Sequence, residues 1–148
     1  MTGAGRSVGE GIAHALASRG AAVLVNDLDP ARAASVVGQL RSRGATAEPA
    51  VFDVTDPEAV RDTLAEVTRV TGAVDICVNN AGNAGSEGFS AFCDFAESDP
   101  DDWARYFAVN LFGAMHCTRA VLPAMIATGW GRIVTIVSDA ARFGGADL

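Results

Sequence analysis

Short apolar runs alternate with longer stretches of helical period along this 148-residue chain, and that alternation limits the fold more than any other feature. Ser7 to Arg19 reads as a helix with Val8, Ile12, Ala15 and Leu16 on one face. Ala22 to Val25 is an apolar run with the character of a buried strand. Asp29-Pro30 then opens a second helix, with the aspartate as N-cap and the proline in the first turn. Its apolar face is Ala33, Val36, Val37 and Leu40, Gly44 closes it, and Thr46 to Phe52 follows as a predicted strand. Thr55-Asp56-Pro57-Glu58 has the pattern of a capping box with Thr55 as the cap, ahead of a helix carrying Val60, Leu64 and Val67. Val74 to Val78 is another strand, running into Asn79-Asn80-Ala81-Gly82. Ser98 to Gly129 is helical in one or two segments, with Leu111, Met115, Thr118, Leu122 and Met125 on a stripe, and Gly131 to Val137 is the last strand. No repeat or linker divides the chain, so residues 1–148 are expected to form one unit.

Strands that alternate with helices imply βαβ units and a parallel sheet covered on both faces. Right-handed crossovers bring the C-terminal ends of the strands to one edge, where ligands of open α/β sheets bind. Asp27, Asp53, Asn79 to Gly82 and Ser138 each follow a predicted strand, so they are expected to meet at one site.

Composition narrows the function. Hydrophobic residues at 49% can build a core, and a net charge of −7 disfavours a nucleic-acid partner, which needs clustered cations against phosphates. No apolar run reaches the roughly 20 residues of a membrane helix, and the first residues do not form a secretory leader. Cys77, Cys93 and Cys117 lack metal-ligand spacing and read as reduced thiols of a cytoplasmic protein. His14 and His116 stand alone in helical patterns and read as structural, so no metal site is expected.

The chemistry-bearing residues begin at the start. Thr2-Gly3-Ala4-Gly5-Arg6-Ser7-Val8-Gly9 stands directly before the first helix, where glycines let the backbone turn tightly and approach a pyrophosphate. Asp27 ends the next strand, 24 residues after Gly3, where a carboxylate can bond both hydroxyls of an adenosine ribose. On residues alone, Asp27 could instead be a turn residue.

Thr2, Gly3 and Gly9, with Ser7 where a middle glycine usually stands, resemble the cofactor fingerprint of short-chain dehydrogenases/reductases. Asp53-Val54, the word Asn79-Asn80-Ala81-Gly82, Asn110 in VNLFG and Ser138 in GRIVTIVS resemble that family's further motifs, in its order. The resemblance implies an α/β, Rossmann-type doubly wound parallel sheet with helices on both faces, here truncated at both ends. It implies a dinucleotide site of Thr2, Gly3, Arg6, Ser7, Val8, Gly9, Asp27, Asp53, Val54, Asn80, Ala81 and Gly82. It gives Ser138 and Asn110 the family's catalytic serine and helix asparagine roles. The implied reaction is hydride transfer between NAD(P) and a small-molecule ketone or secondary alcohol. Asp27 favours NAD over NADP because it would repel a 2′-phosphate, and Arg6 is the counter-signal.

The chain departs from the family pattern at both ends. Only Met1 precedes Thr2, where the family has an apolar first strand, and the sequence closes ten residues after Ser138. The family's Tyr-x-x-x-Lys pair is absent, because all eleven basic residues are arginine and the single tyrosine, Tyr106, precedes Asn110. The expectation is therefore a fragment of a dehydrogenase whose parent is a homo-oligomer, a dimer or tetramer. The alternative is a nucleotide-binding remnant without catalysis. Asn83 to Glu97, carrying Phe89, Phe92 and Phe95, is expected to border the substrate.

Overall fold

The computed structural model describes residues 1–82, 95–97 and 99–138. In chain order these form α1 (Ser7–Ala17), β1 (Val23–Val25), α2 (Pro30–Ser42), β2 (Ala47–Pro49), α3 (Pro57–Thr71) and β3 (Ile76–Asn79). A short 3-10 turn (Phe95–Glu97), α4 (Pro100–Phe107), a π-helical segment (Ala108–Gly113), α5 (Ala114–Thr128) and β4 (Arg132–Thr135) follow. None of the described helices is long and apolar enough to cross a membrane.

The strands are parallel, as the alternation predicts, but they form two separate ladders. In one, β1 pairs with β2, Val23 opposite Ala47; in the other, β3 pairs with β4, Ile76 opposite Arg132. The first four residues lie between them. On the β1 side the Met1 amino group donates to Leu24 O at 2.9 Å, Asn26 N donates to Met1 O at 3.0 Å, and Ala4 N donates to Asn26 O at 2.7 Å. On the β3 side Thr2 N donates to Val78 O at 3.0 Å. These bonds have the slanted spacing of a parallel pair. The order across the molecule is therefore β2, β1, residues 1–4, β3, β4.

Before Met1 the bridging ladder stops. A cavity of about 360 Å³ opens there between β1 and β3, lined by Leu16, Val23, Leu24, Val74, Ile76 and Cys77 among others. The ammonium of Met1 is buried beside it, and burial pulls its pKa below the usual amino value.

Local chemistry explains most boundaries. Asp29 caps α2 by accepting from Ala31 N and Arg32 N, with Pro30 at the first position, and α2 buries Ala33, Val36, Val37 and Leu40 as expected. The capping box at α3 does not form as the pattern predicts. Asp56 is the cap, accepting from Glu58 N at 2.9 Å and Ala59 N at 3.0 Å, while the Thr55 hydroxyl turns back to Asp53 Oδ1 at 2.8 Å. An ionised carboxylate one residue later outcompetes the hydroxyl. The second predicted strand shortens to Ala47–Pro49: Ala50 N still donates to Val25 O at 3.0 Å, and beyond it the Asn26 side-chain amide takes the carbonyls of Ala50 and Phe52 at 2.8 and 3.0 Å.

Two helix faces differ from the periodic reading. α1 buries Gly9, Ala13 and Ala17, so that its backbone approaches β1 closely, and Val8 is left 62% exposed. α5 buries Cys117, Val121 and Met125, whereas Leu111, Met115 and Leu122 of the expected stripe face outward. The π-helical turn shifts the phase of the face that follows it. The buried residues fall into two clusters, one around α1, α2 and β1, the other around Phe52, Val54, Val60, Cys77 and α5.

The slot before Met1 generates a measurable consequence. A charged amine resists burial, so below the unfolded amino pKa the unfolded chain holds a proton that the folded chain disfavours, and stability rises with pH toward about 8. The 148-residue chain should therefore melt at a higher temperature at pH 8.5 than at pH 6.5. A version carrying four apolar residues before Met1 should melt at least about 3 °C higher and lose this component of the pH dependence, as followed by circular dichroism. Identical melting of the two versions at both pH values would show that the open slot and its buried ammonium cost the fold nothing.

Candidate functional site

The C-terminal ends of β1, β3 and β4 and the loop entering α1 share one edge of the molecule. Thr2 holds that edge together. It is buried, and its Oγ1 accepts from Asn80 N and Ala81 N, both at 3.0 Å, while the Asn80 side-chain amide donates to Thr2 O at 3.1 Å and Gly3 O at 3.0 Å. The start of the glycine loop and the Asn79–Gly82 word are thus locked face to face. Asn79, buried, reaches across to Thr118 Oγ1 of α5 at 3.1 Å.

The glycines answer to measured space. Gly3 has φ +58°, and a Cβ there would lie 2.9 Å from Ala81 Cα. A Cβ on Gly9 would lie 2.1 Å from Gly3 O. Ser7, at the position of the usual middle glycine, holds φ +51°, a left-handed conformation that costs a non-glycine residue about 1 kcal/mol or more. Arg6 is extended and exposed at the N-cap of α1 and makes no side-chain cap bond, so the first amides of α1 have no side-chain cap there. Val8 is exposed beside them.

Asp27 lies under this loop, 7% exposed. Its Oδ2 accepts from Gly5 N and its Oδ1 from Asp29 N, each at 3.0 Å. The Arg32 guanidinium stands 4.0 Å from the same carboxylate and 3.3 Å from Asp29. Asp53 is half-buried, with Oδ1 engaged by the amide and hydroxyl of Thr55, both at 2.8 Å. Val54 is buried, its carbonyl meets His116 Nδ1 at 2.9 Å, and its side chain occupies the space a Cβ on Gly113 would need.

Asn110 sits in the π-helical segment with its Oδ1 against Gly82, where an added Cβ would be 3.0 Å away. Ser138 follows β4 and is exposed; just before it, Ile136 N donates to Asn79 O at 2.9 Å. The edge therefore brings Thr2, Gly3, Asn80, Ala81, Gly82 and Asn110 into one cluster and Gly5 and Asp27 into another, with Gly3 also bonded to Asn26 Oδ1 at 3.3 Å. Tyr106 lies on α4, half-buried. Residues 83–94, which include Phe89 and Phe92, lie outside the described residues, as does Cys93.

Three residues at this edge escape motif reading. Gly5 touches Asp27 through its amide, and its Cβ would lie 2.5 Å from Asp27 Oδ2; the signal was a second glycine in Gly3-Ala4-Gly5. Asn26 is 3% exposed and ties Gly3 to the chain after β2; the signal was a polar residue closing an apolar run. Arg32 is the third, and nothing in the pattern marks it. The thiols of Cys77 and Cys117 are buried away from solvent, and burial pushes Cys117 up to about 12, so neither is a thiolate nucleophile at neutral pH. His14 meets Gln39 Oε1 at 3.2 Å on the outer surface.

Residues 1–148 match the short chain dehydrogenase family. The chain is 34% identical to the 2,3-dihydro-2,3-dihydroxybenzoate dehydrogenase of Bacillus subtilis (strain 168), over 95% of its own length and 52% of that protein's. A solved gluconate 5-dehydrogenase from Burkholderia cenocepacia J2315, in complex with NADP and tartrate, superposes with a TM-score of 0.85 at 37% identity, covering 97% of this chain and 54% of that one. A 3-oxoacyl-[acyl-carrier protein] reductase from Brucella melitensis with bound NAD superposes with a TM-score of 0.87 at 32% identity, covering 99% and 55%. The chain spans about half the length of the curated relatives it matches.

Two substitutions in the glycine loop should move stability in opposite directions. Gly9→Ala forces a methyl into the Gly3 carbonyl and should cost about 3 kcal/mol, near the upper end for overpacking. Ser7→Gly removes the left-handed strain but frees the unfolded chain, leaving a net gain of up to about 1 kcal/mol. Denaturant midpoints measure both. A neutral Gly9→Ala would mean that the loop relaxes away from the contact.

Proposed function

The chain belongs to the short-chain dehydrogenase family, and from that membership we propose that it works in an NAD(P)-dependent oxidoreductase acting on a ketone or secondary alcohol, with NAD preferred. The observation that carries this reading is the 3.0 Å bond from Gly5 N to the Asp27 carboxylate. It places the loop that would cradle phosphates directly against the group that would hold the adenosine ribose.

The residues present fit a dinucleotide. Gly3 and Gly9 let the loop pack tightly on Ala81 and on itself where a Cβ would clash, and the first amides of α1, at the positive end of its dipole and without a side-chain cap, would face a pyrophosphate. Asp27 would accept from the ribose hydroxyls, since each of its oxygens retains acceptor capacity beyond one amide. Asp53 and Val54 would flank the adenine, and Asn80, Ala81 and Gly82 would border the nicotinamide side of the loop. The bound nicotinamide supplies or accepts the hydride. Ser138 would donate a hydrogen bond to the substrate oxygen as charge develops there, and Asn110 would order a water near Gly82.

Reduction of a carbonyl also needs a proton delivered to oxygen by a group of suitable pKa within hydrogen-bond reach. A serine hydroxyl is too weak an acid for this. The sequence holds no lysine, and its one tyrosine is on α4, ahead of Asn110. This favours one second reading for the 148 residues by themselves, dinucleotide binding without turnover. The exposed apolar residues Leu111, Phe112, Met115 and Leu122 support a homo-oligomer, and the buried free thiols support a reducing, cytoplasmic setting.

In equilibrium dialysis the purified 148-residue chain should bind NADH more tightly than NADPH and show no NADH-dependent turnover of ketones. Asp27→Asn, which keeps an acceptor oxygen but removes the charge, should shift the NADPH-to-NADH affinity ratio by about tenfold toward NADPH. A folded chain that binds neither dinucleotide would remove the cofactor reading. Turnover by the chain alone would remove the argument about the proton.

A further inference from the structure

The first turn of a helix is a poor place for a cation, because the helix dipole is positive there. α2 nevertheless carries Arg32 at its third position and no acidic residue in its first turn. Two contacts account for it. Its Nε is 3.3 Å from Asp29 Oδ2, on the residue that also caps the helix, and its Nη1 is 4.0 Å from Asp27 Oδ1. The stem is also confined, since a Cβ on Gly5 would lie 2.6 Å from Arg32 Cβ. The guanidinium is thus held by the N-cap, packed beneath the glycine loop and presented beside the buried carboxylate, with 40% of the side chain still open to solvent.

We infer that Arg32 sets how strongly this chain discriminates between the two dinucleotides, by offsetting the charge of Asp27 and offering a cation to a 2′-phosphate. The inference rests on the reading of Asp27 as the ribose-binding carboxylate. Asp27 alone would exclude a phosphate dianion by repulsion. With Arg32 4.0 Å from it, an incoming phosphate meets a guanidinium that can leave the carboxylate and form charge-assisted bonds with phosphate oxygens. Asp29 keeps Nε pinned during that exchange, so the group swings at its tip. The result is a site that prefers a free 2′-hydroxyl yet tolerates the phosphate. Arg32 acts here as a specificity residue and has no part in the hydride step.

The test uses ADP-ribose and 2′-phospho-ADP-ribose as probes, titrated calorimetrically into the purified chain. These carry the adenosine half of the ligand and need no nicotinamide or substrate site. Arg32→Ala should weaken 2′-phospho-ADP-ribose by roughly tenfold while changing ADP-ribose less than about threefold, the scale of one charge-assisted phosphate contact. Arg32→Lys should recover part of the loss, and Asp29→Asn, which keeps a capping oxygen but releases the guanidinium, should fall between. Circular dichroism of each variant separates lost binding from lost fold. Equal weakening of both probes by Arg32→Ala, or no change in either, would overturn the inference and leave the ribose role of Asp27 standing. A folded wild-type chain that binds neither probe would overturn both.

Discussion

The hydroxyl of one buried threonine joins the two halves of this molecule. Thr2 Oγ1 receives the amides of Asn80 and Ala81, and the Thr2 amide continues the ladder onto Val78. On either side of it in sequence, Met1 and Ala4 bond the other way, to Leu24 and Asn26. No described strand of the first ladder pairs with a strand of the second, so this segment carries the main-chain register between them. The two amides on Thr2 would be left without an acceptor if the hydroxyl were removed, at a cost of about 1–3 kcal/mol for each buried unsatisfied group. Asn80 reinforces the lock with its side chain on the carbonyls of Thr2 and Gly3, which fixes the turn into α1 and hence the whole glycine loop.

Packing follows from that lock. In the α1, α2 and β1 cluster the alanines Ala4, Ala13 and Ala17 let backbones approach closely, while Val25, Val36, Val37 and Leu40 supply the apolar area. The second cluster is built around Phe52, Val60, Val121 and Met125. Between them the cavity before Met1 forfeits contacts on both of its walls. On the far side, Ile133, Val134, Ile136 and Val137 are all more than a third exposed, as are Leu122, Ile126 and Trp130 on α5 and just beyond it. This apolar surface lies next to β4, which among the described residues is paired along one edge, with β3.

The sequence was most informative where one residue type has one job. Asp29-Pro30 as a helix start, the apolar face of α2, and the parallel arrangement all follow from caps, spacing and alternation. The glycine loop, Asp27, the Asn79–Gly82 word and Asn110 also belong together on the edge where the strand ends lie. What it could not give were choices among near-equal alternatives. Thr55 and Asp56 can each cap α3, and only the position of Asp53 decides that Thr55 turns back. The stripe on α5 was drawn with a uniform helical period, and a π-helical turn inside it rotates the face, which no residue preference announces. Gly5 and Asn26 act through contacts between segments more than twenty residues apart, beyond the reach of any local pattern, and Arg32 acts through ion pairs with Asp27 and Asp29 that no motif marks.

The edge divides into a buried part and an exposed part, and the division follows the chemistry. Thr2, Asp27, Asn79 and Val54 are all under a tenth exposed, and each has its polar atoms satisfied within the protein or packs without any. Such groups form a preorganised surface, because their orientation is already determined before a ligand arrives. Asn110 and Ser138 are exposed, the first on a helical segment of unusual pitch and the second just after β4. On the proposed reading, recognition of an adenosine half would draw on the buried groups, Thr2 and Asp27, and positioning of a reacting oxygen on the exposed ones, Asn110 and Ser138. On that reading the binding and the reacting groups differ in burial along one edge, so substitutions would separate the two capacities.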